Sequence, residues 1–387
     1  MPEFTGNIRS KLPKAGTTIF AIMSGLANEV GAINLSQGFP GFPVSPKLIE
    51  LYNSAMKAGH NQYAPMPGIL PLRERIAEKM QELYSSAYNP DTEITITAGG
   101  TQALYTAISA FIHEGDEVIV LEPAYDSYVP AINMAGGIPV HVHLKPPAYK
   151  IPWEEIKKLI NQRTRMIIIN TPQNPTGTIL TAADMLQLEK LTDGTDIIVL
   201  SDEVYEHIIF DGYEHQSVAR FPKLASRSLL VYSFGKTFHA TGWKTGYCIG
   251  PANLMKEFRK VHQFMVFSVN TPLQYALAEY MKDKSNYQGL QQFYAAKRDY
   301  FRQLINGSAF KILPCMGSYF QLLDYSSISK EKDTDYAIRL TKENGVASIP
   351  VSVFYHIPQD YHLLRFCFAK ENTMLEQAAE RLLKIRP

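Results

Sequence analysis

Seven short apolar segments, separated by stretches long enough to form a helix, constrain the fold of this 387-residue chain. Two of them carry apolar residues at consecutive positions, in the runs Ile167-Ile168-Ile169 and Ile197-Ile198-Val199-Leu200. Strands of this kind are covered by helices on both faces, which is typical of a parallel sheet. The predicted strands are 93–99, 117–123, 138–144, 165–171, 196–203, 228–234 and 245–250, and helices are predicted at 100–113, 153–162 and 181–192. The chain is therefore predicted to form an α/β fold with a mainly parallel sheet flanked by helices.

The character of the sequence changes after about residue 285, where amphipathic helices surround a few strands. The strand patterns there are FKILP, SYFQLLD and HLLRFCFA, at 310–314, 318–324 and 362–369. This part predicts a second, smaller α+β domain, and the length is sufficient for two cores. We predict an N-terminal arm with part of the small domain at 1–45, a large domain at 46–284, and a small C-terminal domain at 285–387.

The near-balance of charge argues against several kinds of partner. The chain has 38 Lys and Arg against 37 Asp and Glu, whereas nucleic acid and polybasic membrane contacts need a basic surplus. No apolar stretch approaches the ~18 residues of a membrane span, and the N-terminal segment lacks the apolar core of a signal peptide. The three cysteines are widely spaced, which favours reduced thiols. We therefore expect a cytoplasmic protein that binds neither nucleic acid nor membrane.

A glycine-rich turn, AGGTQ at 98–102, lies between the first strand of the predicted sheet and a helix. Glycines let the backbone approach a ligand, and the free N–H groups of a helix N-terminus attract an anion such as phosphate. A Gly-Gly turn without a ligand is the alternative interpretation. A P-loop is suggested by GKT at 235–237, but it requires a glycine where the chain has Leu230, so it is excluded.

Polar and charged side chains follow three more of the predicted strands. The loop NTPQNPTG at 170–177 contains two X-Pro bonds that would fix its asparagine side chains. Asp202 would be partly desolvated at the end of an apolar strand and would need a cationic partner. Lys236 lies among aromatic residues, and such surroundings lower the pKa of a lysine and make its amine a nucleophile. The alternatives are a polar loop, a helix N-cap and a surface lysine, but the carboxyl ends of strands are where open α/β sheets bind ligands.

Taken in this order, the four segments resemble the pyridoxal-phosphate (PLP) dependent aminotransferases of fold type I, class I/II. The similarity covers essentially the whole chain and is most specific in NTPQNPTG at 170–177 and SFGKTFHATGWKTG at 233–246. The segments NLSQGFP at 34–40 and NQY at 61–63 are similar to the branch that contains methionine aminotransferase, kynurenine aminotransferase and glutamine transaminase K. The resemblance implies the PLP-dependent transferase fold, with PLP bound by the large domain.

The resemblance also implies which residues bind the cofactor. The predicted catalytic residues are Lys236, Asp202 and Tyr205. Lys236 would hold PLP covalently and then move the substrate proton. Asp202 would pair with the pyridine nitrogen, and Tyr205 would donate to the ring oxygen O3′. The predicted cofactor-binding residues are Gly100, Thr101, Gln102, Tyr125, Asn174, Asp202, Tyr205, Ser233, Lys236, Lys244 and, from the neighbouring subunit, Tyr63. Lys244 departs from the family pattern, in which this phosphate-binding cation is often arginine.

By the same resemblance, Arg365 binds the substrate α-carboxylate, a role that suits the planar fork of a guanidinium. The predicted substrate-binding residues are Arg365, Gly38, Phe39, Asn174 and Tyr125, with Tyr128 as a further candidate. No equivalent of the second arginine of dicarboxylate-specific relatives is evident, and an aromatic wall favours a large hydrophobic side chain. We therefore predict transfer of the amino group of methionine first, and then of aromatic amino acids, to a 2-oxo acid by a ping-pong mechanism.

The contribution of Tyr63 across subunits implies a homodimer, which fits the 22 tyrosines and the 19% of charged residues. A PLP-dependent C–S β-lyase is the alternative of the same fold, because cofactor residues do not separate two reactions that share their first steps. A non-catalytic PLP-binding regulator is less favoured, since residues 1–90 show no basic helix-turn-helix. No metal site is predicted, because His141 and His143 lie two apart without a third ligand and are expected to face solvent.

Overall fold

The computed structural model describes residues 2–13 and 15–386; Met1, Lys14 and Pro387, which belong to the predicted ranges 1–45 and 285–387, lie outside the described residues. The strands of this part are β1 (Ile33–Asn34), β2 (Ile94–Thr97), β3 (Glu117–Glu122), β4 (Ile138–His143), β5 (Thr164–Asn170), β6 (Ile198–Asp202), β7 (Ser228–Ser233), β8 (Gly246–Ile249), β9 (Lys311–Ile312), β10 (Phe320–Asp324), β11 (Val346–Ala347), β12 (Ile349–Pro350) and β13 (Leu363–Cys367). The α-helices are α1 (Ile19–Val30), α2 (Pro46–Lys57), α3 (Leu70–Tyr84), α4 (Gly100–Phe111), α5 (Tyr128–Met134), α6 (Trp153–Leu159), α7 (Ala182–Thr192), α8 (Pro222–Ala225), α9 (Phe234–Thr237), α10 (Ala252–Met265), α11 (Thr271–Tyr280), α12 (Ser285–Gln288), α13 (Leu290–Leu304), α14 (Asp333–Asn344) and α15 (Asn372–Leu382). Within these residues, no helix combines the length and the apolar character needed to cross a membrane.

The central sheet is built from the seven strands that the apolar segments predict, in the order β2-β8-β7-β6-β5-β3-β4. The strands from β4 to β7 in this order pair in parallel, whereas β8 runs antiparallel to both of its neighbours. Neighbouring residues of β3 pack on opposite faces, Ile119 in one core cluster and Val118 and Val120 in the other. Helices α4, α6 and α7 correspond to the three predicted helices. The predicted α/β fold with a mainly parallel sheet is confirmed.

The loops that follow four different strands come together at one end of this sheet, where the parallel strands finish. Asn170 and Asp202, the last residues of β5 and β6, are neighbours in the strand pairing. Ser233 at the end of β7 pairs with Gly246 at the start of β8, because β8 runs in the opposite direction. Gly246 also pairs with Thr97 at the end of β2. The polar segments that are far apart in the sequence therefore meet at this end of the sheet.

A second sheet, with the order β12-β13-β10-β9, is antiparallel and lies in the C-terminal part of the chain. Arg365 in β13 pairs with Leu322 on one side and Ile349 on the other. The N-terminal segment joins this part, since β1 pairs with β11 and the Leu35 carbonyl accepts a hydrogen bond from the backbone N–H of Cys367 at 2.8 Å. The residues that follow β1 are thereby carried past Arg365.

The edge strand β4 is covered, so the expectation that its two histidines face solvent is wrong. His141 stacks on His356 with ring centroids 4.2 Å apart, and His143 stacks on Tyr355 at 4.4 Å. The residues that precede β13 fold over the edge of the large sheet and supply these rings. In the described part of the chain, no group of three potential ligands is placed to hold a metal ion.

Candidate active site

A cavity of about 400 Å³ lies between the second sheet and the end of the large sheet where the parallel strands finish. It is lined by most of the predicted site residues, namely Gly38, Gly100, Thr101, Tyr125, Asn174, Asp202, Tyr205, Ser233, Lys236, Lys244 and Arg365. These residues come from both sheets and from the N-terminal segment. The sequence prediction therefore brought together groups that the fold places around one space.

Lys236 lies in the short helix α9 directly after β7, and its side chain opens onto the cavity. Its Nζ donates to the Tyr319 hydroxyl at 3.0 Å and to the Gly38 carbonyl at 3.3 Å. Burial lowers the pKa of this ammonium to about 8. The amine is therefore deprotonated more easily than that of a surface lysine, as expected among aromatic neighbours.

Asp202 ends β6 with its carboxylate buried in the cavity wall. One carboxylate oxygen accepts a hydrogen bond from the Tyr128 hydroxyl at 2.6 Å, and the other accepts from the backbone N–H of Val204 at 3.3 Å. Burial raises the pKa of Asp202 to about 6, although the Tyr128 hydrogen bond acts in the opposite direction. Tyr128 is thus a partner of Asp202; it does not line the cavity that holds Lys236 and Arg365.

The anion-binding features belong to the part of the cavity wall that the large sheet and helix α4 provide. Helix α4 begins at Gly100, so its first backbone N–H groups have no partner within the helix. Gly99 has φ = 83°, a conformation that favours glycine. A side chain at Gly100 would come within 3.1 Å of Val204 Cγ1, which would fill the space beside the helix N-terminus. Ser233 and Lys244 complete this group of donors.

Besides Tyr128, three predicted site residues do not line the cavity. The side-chain oxygen of Gln102 accepts a hydrogen bond from the backbone N–H of Ala98 at 2.9 Å, so this side chain closes the glycine turn. The ring of Phe39 packs 4.4 Å from the amine of Lys370 and is 44% exposed. Tyr63 is 80% exposed. In the single chain, Gln102 can bind the cofactor phosphate only through its backbone, because its side chain closes the turn. Neither Phe39 nor Tyr63 contacts the cavity.

Arg365 has a fully buried guanidinium between aromatic rings, with the ring of Phe320 at 4.0 Å. It donates to the Asn174 side-chain oxygen at 2.8 Å and to the Ser36 carbonyl at 3.0 Å. Its Nε has no hydrogen-bond partner, and no carboxylate lies within 4.0 Å of the group, among the residues that the structure describes. Burial lowers the pKa of Arg365 to about 10. A buried cation without an anionic partner indicates an anionic ligand.

The remaining walls are fixed by a hydrogen-bond network around the loop 170–177. Asn170 accepts from the backbone N–H of Asn174 at 2.8 Å and donates to the Asp202 carbonyl at 2.9 Å. The Tyr125 hydroxyl lies 3.2 Å from the Thr101 hydroxyl. Tyr205 is buried, with its ring edge-to-face on Tyr319, and burial raises its pKa. The loop is thus held rigidly, as its two prolines predict.

Sequence reasoning missed several residues of the site. Phe20, Asp126 and Asn170 line the cavity. Tyr319 does not line it, but its hydroxyl accepts a hydrogen bond from Lys236. Asn170 could have been found, because it opens the polar loop 170–177. The others give no signal, since Phe20 lies in a helix that is distant in the sequence and Tyr319 lies in an apolar strand segment.

These residues fit PLP, a flat aromatic aldehyde that carries a phosphate group and a basic ring nitrogen. The N-terminus of α4, Ser233 and Lys244 provide donors for a phosphate. Asp202 provides a buried carboxylate for a protonated ring nitrogen, and Lys236 provides an amine for the aldehyde. Arg365 remains for a second anion.

Comparisons with known proteins lead to the same family. Residues 30–382 match the family model of aminotransferase class I and II. The methionine aminotransferase of Escherichia coli (strain K12) is 49% identical over 378 residues, which cover 97% of this chain and 98% of that protein. Human kynurenine–oxoglutarate transaminase 1 is 34% identical over 394 residues, which cover 93% of each chain.

Solved structures agree with the sequence comparisons. The structure of an Escherichia coli methionine aminotransferase has a TM-score of 0.96 at 49% identity and covers 98% of this chain and 99% of that one. N-succinyldiaminopimelate aminotransferase from Mycobacterium tuberculosis has a TM-score of 0.94 at 34% identity and covers 98% and 100%.

The predicted family, fold class and cofactor are confirmed by these comparisons. All four matches are to proteins described as aminotransferases or transaminases, which favours neither the C–S β-lyase nor the non-catalytic regulator. Enzymes of this family use PLP to move amino groups between amino acids and 2-oxo acids, and this is the activity of the present chain. The chain belongs to the PLP-dependent aminotransferases of class I and II.

Proposed function

We propose that the enzyme uses methionine as its first amino donor and aromatic amino acids next, and passes the amino group to a 2-oxo acid by a ping-pong mechanism. The observation that carries this proposal is the buried Arg365 in a cavity whose walls include the rings of Phe20, Phe320 and Tyr125. One guanidinium suits the α-carboxylate, and aromatic walls suit a large apolar side chain or a thioether. The name of the Escherichia coli relative, methionine aminotransferase, supports the same donor.

Asp126 gives a further reason for a neutral donor. This residue lines the cavity, where burial raises the pKa of its carboxyl while Arg365 acts to lower it. Arg365 is the one arginine among the described residues that line this cavity. The second carboxylate of aspartate or glutamate would therefore meet the negative charge of Asp126 and no second guanidinium, and such repulsion disfavours these donors.

Each catalytic residue has a defined task in this proposal. When bound, PLP draws electron density from the substrate Cα and so makes its proton acidic. Lys236 would hold the cofactor covalently until the substrate amine replaces it, and its freed amine then accepts that proton, a task that its lowered pKa of about 8 supports near neutral pH. Asp202 stabilises a positive charge on the ring nitrogen. Arg365 orients the substrate by two parallel hydrogen bonds to its α-carboxylate.

The remaining site residues hold and tune the cofactor. Tyr205 and Asn174 would hydrogen-bond the ring oxygen O3′, and Tyr125 would contact the ring, since all three line the cavity. The phosphate is bound by the backbone of Gly100, Thr101 and Gln102, by Ser233 and by Lys244, which the position of these residues around the N-terminus of α4 supports. Gly38 and Asn174 contribute to the substrate site, whereas Phe39 does not line the cavity and is left out of it.

The proposal includes a cytoplasmic homodimer with shared sites. Tyr63 is 80% exposed and packs edge-to-face on Phe267, which is itself 52% exposed, and Phe264 is 86% exposed. An exposed aromatic surface of this kind suits a contact with a second copy of the chain. In that dimer, Tyr63 contacts the cofactor phosphate in the partner's site. The three cysteines are free and buried, which suits a reducing compartment.

The decisive experiment mixes the purified holoenzyme with single amino acids and follows the visible absorbance of the bound cofactor together with 2-oxo acid formation. We expect methionine to react fastest, phenylalanine and tyrosine next, and aspartate slowest. Reaction with aspartate ahead of methionine would contradict the proposed donor. Release of ammonia from a cysteine S-conjugate without any amino acceptor would indicate a β-lyase, because β-elimination needs a sulfur leaving group on Cβ. Lys236→Ala should lower turnover by about 10²–10⁴-fold, and normal turnover would refute the mechanism.

The specificity argument is tested by Asp126→Asn, which removes the negative charge and keeps the shape of the side chain. We expect kcat/KM for aspartate to rise by about tenfold while kcat/KM for methionine changes little. An equal change for both donors would show that Asp126 does not select the substrate.

A further inference from the structure

Tyr319 places a single hydroxyl group between the amine of Lys236 and the N-terminal segment. This hydroxyl donates to the Gly38 carbonyl at 2.6 Å and accepts from Lys236 Nζ at 3.0 Å. The side chain of Tyr319 is fully buried, so water does not compete for either hydrogen bond. The comparisons and the family resemblance give Tyr319 no role.

The ring of Tyr319 is held in place on several sides. It packs edge-to-face on Tyr205 with ring centroids 5.1 Å apart and on Phe320 at 4.9 Å. Its backbone carbonyl accepts from the N–H of Phe368 at 3.1 Å, the residue directly after β13, the strand that carries Arg365. The hydroxyl therefore has a fixed position, and a fixed acceptor can orient a flexible lysine side chain.

The second acceptor of the lysine is also built into the fold. Gly38 lies close to Phe320, since a Cβ at this glycine would come within 2.8 Å of Phe320 Cζ. Only glycine allows the segment to approach so closely, and this approach brings the Gly38 carbonyl within 3.3 Å of Lys236 Nζ.

We propose that Tyr319 is a positioning residue that, with the Gly38 carbonyl, orients the amine of Lys236 for proton transfer. A neutral amine that donates both of its N–H groups to these two acceptors has its lone pair directed away from them. Lys236 lines the cavity, so this lone pair is left for the substrate proton. The inference rests on the proposed role of Lys236 as the proton carrier.

The same contact links proton transfer to substrate binding. The N-terminal segment that carries Gly38 also supplies the Ser36 carbonyl, which accepts from Arg365 at 3.0 Å. The guanidinium that binds the substrate and the amine that moves its proton therefore contact carbonyl groups two residues apart. Tyr319 fixes the distance between this segment and Lys236.

The test compares Tyr319→Phe with Tyr294→Phe in the holoenzyme. Tyr294 is equally buried and packs 5.9 Å from Tyr319, but its hydroxyl has no hydrogen-bond partner among the described residues, so it is a matched control. We expect Tyr319→Phe to lower kcat for methionine by about tenfold and to change KM by less than about twofold. The primary isotope effect with α-deuterated methionine should increase, because proton transfer becomes slower relative to the other steps. Tyr294→Phe should leave both quantities unchanged.

A second substitution guards against misfolding of the Tyr319 variant. Incorporation of 3-fluorotyrosine at position 319 keeps the ring and the hydroxyl but makes the oxygen a weaker acceptor, so a smaller decrease in kcat and a smaller rise in the isotope effect are expected. An unchanged isotope effect in both Tyr319 proteins, with normal cofactor absorbance, would overturn the inference. Failure of the unmodified enzyme to transaminate methionine would instead contradict the proposed function, and the two failures are therefore distinct.

Discussion

The environment of Arg365 indicates that this residue binds an anionic ligand. Its guanidinium is buried beside aromatic rings, and its Nε has no partner in the described part of the chain. We predict that Arg365→Ala lowers kcat/KM for methionine by about 10²–10³-fold, because two charge-assisted hydrogen bonds to the α-carboxylate are lost. Steady-state kinetics measure this effect, and the visible spectrum of the bound cofactor should not change. Loss of the cofactor from this variant would mean that Arg365 belongs to the cofactor site.

The Tyr128–Asp202 hydrogen bond makes a prediction about pH. Asp202 has a pKa of about 6, because burial raises it while the Tyr128 hydroxyl stabilises the carboxylate and lowers it. Tyr128→Phe removes the stabilising donor, so the pKa of Asp202 should move further up. Protonated Asp202 cannot balance a positive ring nitrogen, so the pH below which the cofactor-free enzyme binds PLP weakly should rise by about one unit, as a titration of PLP binding against pH measures. A shift to lower pH, or none, would contradict this assignment.

The strands and helices differ in how far the sequence predicts them. Runs such as Ile167-Ile168-Ile169 identify buried strands from local pattern alone, and all seven strands of the large sheet were predicted. The direction of β8 was not predicted, because direction depends on pairing with β2 and β7 and leaves no trace in its own residues.

Some residues of the site can be identified from their local sequence, whereas others are evident only in the folded structure. Lys236, Asp202 and Asn174 follow predicted strands and are found from the loops they occupy. Tyr319 was missed, because its hydroxyl reaches Lys236 only through the packing of two separate sheets. Tyr128 was assigned to the substrate pocket, although its hydroxyl donates to Asp202. The partner of a polar group depends on the tertiary fold.

The segment from Asp202 to Glu206 carries functional residues on one side and buried acids on the other. Glu206 forms an ion pair with Lys79 of helix α3 and accepts from the Tyr84 hydroxyl at 2.6 Å. Glu203 accepts from the Tyr232 hydroxyl at 2.9 Å. Neither acid lines the cavity. They fix the segment that presents Asp202 and Tyr205 to the cavity.

This anchoring makes a prediction about stability. Lys79→Met would leave Glu206 buried without its cation, so we expect the free energy of unfolding to fall by about 3–5 kcal/mol. Lys384→Met, which breaks an ion pair whose side chains are both 70% exposed, is the control and should have no measurable effect. Urea unfolding at one protein concentration measures both variants. Equal effects of the two substitutions would contradict the anchoring role.

The pH dependence of stability follows from the same pair. Burial acts to raise the pKa of Glu206, but the neighbouring Lys79 and His207 lower it below the ordinary value of 4.5. The carboxylate therefore contributes stability that is fully present above about pH 4.5 and is lost progressively at lower pH. Lys79→Met should remove this part of the acid dependence.

At the scale of the whole molecule, the two sheets support the proposed domain boundaries of 1–45, 46–284 and 285–387. The strands of the large sheet lie between residues 94 and 249, and those of the second sheet lie between 311 and 367. Pairing of β1 with β11 attaches the N-terminal segment to the C-terminal part. The cavity lies where these parts meet, and it takes residues from each of them.

The proposed shared site can be tested with hybrid dimers made from Lys236→Ala and Tyr63→Ala subunits. If Tyr63 acts in the partner's site, one site of each hybrid combines an intact Lys236 from one chain with an intact Tyr63 from the other. Random pairing makes about half of the dimers hybrids, so the mixture should recover about a quarter of the unmodified activity, although each variant alone is nearly inactive. Co-expression with two affinity tags isolates the hybrids for kinetic measurement. If Tyr63 served the site of its own chain, no hybrid would contain an intact site, and the mixture would show only the average activity of the two variants. The exposure of Tyr63, at 80% in the single chain, favours the first outcome, because such a ring has no cavity of its own chain to contact.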